Sequence, residues 1–196
     1  MLWRLTAVLF VIWPIVAAPV SAAPLRAFYD DPPACITVLG GPAQAGIAAG
    51  GRIADALARQ LSGKVGRVIH PRERRRLVRD MAVDLDHPAD ARHFAAAVRC
   101  PAFLRWHVLE AGHDNALVWS RKHISLNAEL VRARDGAVIW QAQASASRSS
   151  GDVPLSLFSL PLGLLRAAAF QGDDDAVASL LDDLARRMLA SLPDLR

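Results

Sequence analysis

Three groups of residues in this sequence have the types and spacing that chemistry requires. Asp86, His87, Asp90 and His93 fall within one short stretch, and carboxylates with imidazoles are the donors that hold zinc and related divalent ions. Asp90 and His93, three apart, would share a helix face. Pro88 turns the chain between the two halves, and no third pair completes a standard ligand set. These residues are therefore expected to be a solvated loop and helix start, with no metal and no cofactor. His107, His113 and His123 lie on or near strands. A Ser/His/Asp relay needs a sharply presented nucleophile, and neither Ser120 nor Ser125 has such a setting. Gly40, Gly41, Gly46, Gly50 and Gly51 lie between a strand and a helix, but no Gly-Lys-Ser/Thr follows. An ordinary connecting loop is expected there.

Binding chemistry is better represented. Arg72, Arg75, Arg76 and Arg79 recur at three- and four-residue spacing after Pro71, so they form one ridge on a helix that proline opens. Such a ridge can meet lipid head groups, anionic glycan or an acidic protein partner, or serve only as a solvated face. The run 153–170 carries Leu155, Leu157, Phe158, Leu160, Leu162, Leu164, Leu165 and Phe170. It is too short and too proline-rich to span a bilayer. Exposed, it would be a partner or membrane patch; folded as an amphipathic helix, it would cover the sheet. Cys35 and Cys100 each precede an apolar run that reads as a strand. If those strands are parallel neighbours, the sulfurs lie at one end of the sheet and a disulfide is geometrically reasonable.

The elements that position these residues follow from apolar periodicity. In Ala116–Ala133, Ile124, Leu126, Ala128 and Leu130 fall on one face, and His123, Ser125, Asn127 and Glu129 on the other. In Ala137–Ser147, Val138, Trp140, Ala142 and Ala144 share a face. A two-residue loop at Asp135-Gly136 would set Leu130 against Gln141 and split the apolar faces. A three-residue loop with Gly136 left-handed in a bulge sets Leu130 against Trp140 and Ala128 against Ala142. Upstream, Cys35–Leu39 reads as a buried strand after a proline-bearing lead-in. Ile53, Leu57 and Leu61 mark a helix, Val65–Ile69 a short strand, and Pro71 opens a helix with Val78, Met81 and Leu85 inward. Ala89–Val98 is a third helix, and Val177, Leu180, Leu181, Leu184, Met188 and Leu192 stripe a last one. The order predicts an α/β (α+β) fold: a mixed sheet of about five strands with an antiparallel C-terminal meander and helices packed on it.

Met1–Arg4 is short and basic, Leu5–Val16 is apolar, and Val20-Ser21-Ala22 offers small residues where a signal peptidase reads. Residues 1–22 thus read as a secretory signal, cleaved after Ala22 or Ala23, with an uncleaved membrane anchor as the alternative, and 23–196 as a single domain with an apolar insert at 153–170. No cysteine follows the apolar run, so a lipid anchor at the new amino terminus is not expected. The net charge of +4 falls to +3 when Arg4 leaves, a mild bias that does not call for nucleic acid.

Cys35-Ile-Thr-Val-Leu-Gly, Ala56-Leu-Ala-Arg-Gln-Leu, Gly66-Arg-Val-Ile and the segment His123–Ala142, with its Arg-Asp-Gly turn before Val-Ile-Trp, resemble the envelope fold of the TolB amino-terminal domain, the CsgG-like and PelC-like secretion proteins and the LpoB-like activators. The resemblance implies a non-enzymatic periplasmic protein that serves an envelope complex as an assembly, export or activator subunit, peripheral to a membrane or self-associating. It carries no catalytic residue to this chain. The contrasting readings are an envelope metal enzyme using His87, Asp90 and His93, and a small-ligand carrier with its pocket beneath 153–170.

Overall fold

In a computed structural model, residues 23–41, 47–116, 119–151 and 174–195 are described. The expected signal segment and the apolar run 153–170 lie outside them. The elements are α1 (Ala23–Asp30), β1 (Cys35–Val38), α2 (Ile47–Leu61), β2 (Arg67–Ile69), α3 (Pro71–Met81), α4 (Pro88–Val98), β3 (Ala102–Ala116), β4 (Trp119–Arg132), β5 (Val138–Gly151) and α5 (Asp174–Leu189). The five strands form one mixed sheet in the order β2-β1-β3-β4-β5. β1 is parallel to both β2 and β3, and β3, β4 and β5 make an antiparallel meander. The mixed α/β architecture expected from the sequence is the one observed.

The alternation in β3–β5 is explained by what covers each face. On one side Trp106, Leu126, Ala128, Leu130 and Trp140 pack with Leu57 and Leu61 of α2, Leu184 and Met188 of α5, and Phe28 of α1. On the other, Phe94 and Ala95 of α4 pack on Phe103, with Leu77, Val78 and Met81 of α3 alongside. That second layer does not extend across the meander, so Gln141, Gln143 and Ser145 of β5 remain exposed. Among the described residues, no helix is long and apolar enough to cross a membrane.

The β4–β5 turn reaches the expected pairing by a different route. Leu130 faces Trp140 and Ala128 faces Ala142, and Gly136 is left-handed at φ 73°. The loop, however, spans four residues, because the Arg132 N–H donates to the Ala137 carbonyl at 2.9 Å and the Gly136 N–H to the Arg132 carbonyl. The register shifts between Leu130 and Val131, where Val131 pairs with Val138 and leaves Ile139 as an extra residue. The bulge restores parity. It also turns Ile139 inward beside Trp140 and leaves Val138 exposed, a correction to the expectation that Val138 shares the Trp140 face.

Other boundaries differ. The proline-bearing lead-in holds a helix, α1, anchored by the fully buried Phe28. Helix α3 ends at Met81 in a left-handed cap at Ala82 (φ 50°), so Leu85 joins the inner cluster from the following loop. β5 continues through Gly151, past the Ser147 limit of the expected run, because its end stays in register with Trp119–Arg121.

Cys35 and Cys100 form a disulfide, with sulfurs 2.02 Å apart. It joins the start of β1 to the α4–β3 connection, with Ile69, Leu77 and Val98 packed around it.

Candidate binding surface on helix α3

Helix α3 lies on the sheet through one apolar edge. Pro71 occupies the first turn, where its missing N–H costs nothing, and is buried; Leu77, Val78 and Met81 turn inward. Five arginines dominate the remaining circumference, which also carries Glu73 and Asp80. Arg72, Arg75, Arg76 and Arg79 are all exposed and, with Glu73, wall a shallow hollow of about 430 Å³. Among the described residues none of these four arginines has a carboxylate within ion-pair distance, although pairs such as Arg59–Asp182 and Arg187–Asp183 form elsewhere at 2.7 Å. Like charges three and four residues apart repel by about 0.2–0.5 kcal/mol per pair in an isolated helix. The ridge therefore weakens α3, and the burial of Leu77, Val78 and Met81 holds the helix in place. A concentration of uncompensated guanidinium groups is an electrostatic surface for an anion.

The sequence reading missed a second feature, a cleft of about 850 Å³ between α3 and the sheet. It opens where β1 ends and β3 continues beyond it, paired with β4 alone, since β1 pairs with β3 only from Ala102 to Leu104. Arg74, Arg75 and Arg79 line one part; Asp84, Asp86, Arg105, His107 and Glu129 also line it, over apolar ground that includes Leu39, Val78 and Trp106. Arg74 is the half-buried member, donating from Nη1 to the Val38 carbonyl at 3.1 Å. Burial first, and then the charge of Arg75, push its guanidinium below its ordinary value. The indole N–H of Trp106 donates to the Leu39 carbonyl at 3.0 Å. The available signal was two consecutive glycines at the end of a buried strand. A Cβ on Gly41 would fall 2.1 Å from the Trp106 ring, and one on Gly40 would lie 3.4 Å from the Arg74 guanidinium.

Among the described side chains, the histidine and carboxylate groups read from the sequence do not converge. His87 Nδ1 is 3.9 Å from Asp90 Oδ1, both well exposed, and Asp90 Oδ2 accepts the Asp84 backbone N–H at 3.0 Å. His93 is exposed on α4. Among the described residues, no three metal-ligating side chains come together. His107 lines the cleft, while His123 Nε2 lies 3.5 Å from Glu110 Oε1 in the distal part of the meander. The apolar run 153–170, expected as the second contact surface, is outside the described residues.

No protein-family model matches the chain, and no curated protein does. Among solved structures, similarity in fold is found to a PelC dodecamer from Paraburkholderia phytofirmans (16% identity, 83% of this chain and 88% of that one, TM-score 0.48). The lipoprotein GNA1162 from Neisseria meningitidis is similar at 22% identity, over 71% of this chain and 97% of that one, with TM-score 0.46. The LpoB C-terminal domain from Salmonella enterica is similar at 11% identity, over 57% and 80%, with TM-score 0.36. The PelC-like and LpoB-like parts of the expected resemblance agree with these likenesses, which say nothing of TolB or CsgG. Likenesses of this depth concern the course of the chain and carry nothing about partner or activity.

Proposed function

We propose that this protein is a non-enzymatic accessory subunit of the cell envelope that works by binding, and that the α3 ridge is its contact with an acidic face of an envelope protein partner. One observation carries the reading: Arg72, Arg75, Arg76 and Arg79 stand exposed on one helix face with no carboxylate in ion-pair range among the described residues. Surface guanidinium groups arranged in this way raise association rates and select for complementary charge. Export through residues 1–22 and residence in the periplasm belong to the same proposal. The Cys35–Cys100 disulfide suits an oxidising compartment.

The test places a photo-cross-linking residue at position 76 and irradiates cells expressing the protein. A discrete cross-linked envelope protein is expected, and Arg72→Glu should reduce its yield at least tenfold. A cross-link indifferent to that charge reversal, or none at all, would sink the proposal. Flotation with anionic vesicles checks the lipid alternative, since recovery that Arg72→Glu abolishes would make the ridge a membrane contact.

A further inference from the structure

The cleft beneath α3 differs in character from the ridge above it. The ridge presents one sign of charge to solvent. The cleft is concave and mixed in sign, with Arg74, Arg75, Arg79 and Arg105 as its cations, Asp84, Asp86 and Glu129 as its anions, and His107 beside them. Leu39, Val78, Val83, Leu85 and Trp106 supply apolar surface between them. Pockets that recognise small molecules combine apolar walls with a few polar groups in this manner.

The position in the fold is the one that open α/β sheets use for ligands. From β1 the chain goes to β2 on one side, and through α3 and α4 to β3 on the other. The order of strands reverses at β1, and a crevice forms beyond the carboxyl ends of the two parallel strands β1 and β3. Leu39, Gly40 and Gly41 come from that end of β1, and Arg105, Trp106 and His107 from that end of the parallel segment of β3. Gly41 lets the backbone pass against the Trp106 ring, where a Cβ would lie 2.1 Å from the indole, and a Cβ on Gly40 would touch the Arg74 guanidinium at 3.4 Å.

Among the described residues no ion pair joins the charges of the cleft, although Asp84 Oδ1 accepts the Asp86 backbone N–H at 3.0 Å. Arg105 stands directly across from Glu129 in the β3–β4 ladder, yet no ion pair joins them among the described residues. Glu129 Oε1 instead accepts from Asn127 Nδ2 at 3.4 Å. Arg74 uses one N–H on a backbone carbonyl and has no carboxylate in range among the described residues. A purely anionic guest would meet Asp84, Asp86 and Glu129, and a purely cationic one the arginines. A guest carrying both charges satisfies both sets.

We propose that this cleft binds a small zwitterion, with its phosphate or carboxylate held by Arg74 and Arg105 and its amine turned toward Asp84, Asp86 and Glu129. The same chemistry is presented by a free aminophosphate and by an aminophospholipid head group. The site shares Arg75 and Arg79 with the ridge, but Arg72 and Arg76 do not line it, so variants at those two positions separate the two functions.

The experiment titrates the purified protein with phosphoethanolamine, inorganic phosphate and ethanolamine by calorimetry, and with phosphatidylethanolamine vesicles by flotation. Saturable binding of phosphoethanolamine, at least tenfold tighter than of phosphate or ethanolamine alone, is the expected result. Capture on the vesicles with the same variant dependence would also support the site and identify the lipid as its source. Arg74→Gln and Glu129→Gln should each weaken binding at least tenfold, and Arg72→Gln should leave it unchanged. Arg105→Gln alters an exposed side chain and replaces Arg74→Gln if that variant does not fold. Three outcomes overturn the proposal: no binding to any probe, equal affinity for phosphate and phosphoethanolamine, or equal loss in Arg72→Gln. Failure here leaves the cross-linking result at position 76 untouched, and the reverse also holds.

Discussion

Gly41 and Trp106 show how little room a single residue can leave. The indole is buried, donates to Leu39 and lies where any Cβ on Gly41 would have to go. Overpacking of a well-filled site typically costs 1–3 kcal/mol. Gly41→Ala should therefore lower unfolding free energy by roughly that amount, measured by urea denaturation, and should alter tryptophan fluorescence because the ring must move. Unchanged stability and spectrum would mean that the close approach is not maintained in solution. Asp135 gives a titration at the same scale. The Ala137 backbone N–H bonded to its carboxylate, aided by Arg132 and Arg134, holds its pKa below the usual carboxylate range. A depressed carboxylate stabilises the fold fully above its unfolded pKa, and that contribution is lost as pH falls through the lower, folded value. Protection of the Ala137 amide against exchange should accordingly fall as the medium is acidified below the ordinary carboxylate range. Asp135→Asn should remove the pH dependence.

At the scale of elements, the pairing of β4 with β5 was legible in the sequence because a pleated strand alternates strictly, and only one parity puts Leu130 and Trp140 in one core. The loop was not legible. A four-residue connection with its bulge at Ile139 gives the same Leu130–Trp140 pair as a three-residue loop with its bulge at Gly136, and apolar parity cannot separate them. Helix α1 was hidden because Pro24 and its short length left one strong anchor, Phe28. Part of what secures it lies far away in sequence: Arg132 Nη2 donates to the Ala27 carbonyl at 3.3 Å, and Asp31 lies 3.1 Å from Arg134. The ridge could be read from spacing within one helix, whereas the cleft could not, since its lining comes from the residues that follow β1, from α3, the α3–α4 loop, β3 and β4. The disulfide ties the start of β1 to the α4–β3 connection across 65 residues. On the chain-entropy view, closing a loop of that length stabilises the fold by roughly 4 kcal/mol. Cys35→Ala with Cys100→Ala should lower unfolding free energy by about that much; a change below ~1 kcal/mol would place most of the holding power in the Phe94–Phe103 contact instead.

For the whole molecule, the distribution of charge matters more than its sum. A net charge of +4 spread evenly over the surface would bind anions weakly and without orientation, but four of the cations stand together on α3 without carboxylates in range among the described residues. Attraction between exposed charges acts over the screening length, about 30 Å at 0.01 M salt and about 8 Å at 0.15 M. Retention on an anionic matrix should therefore fall steeply across that interval. Arg72→Gln with Arg76→Gln should flatten the salt dependence, whereas replacing Arg26 and Arg148, which are exposed elsewhere, should change it much less although the net charge drops equally. Equal effects from the two pairs would show that the protein responds to total charge, and α3 would lose its standing as an oriented contact surface.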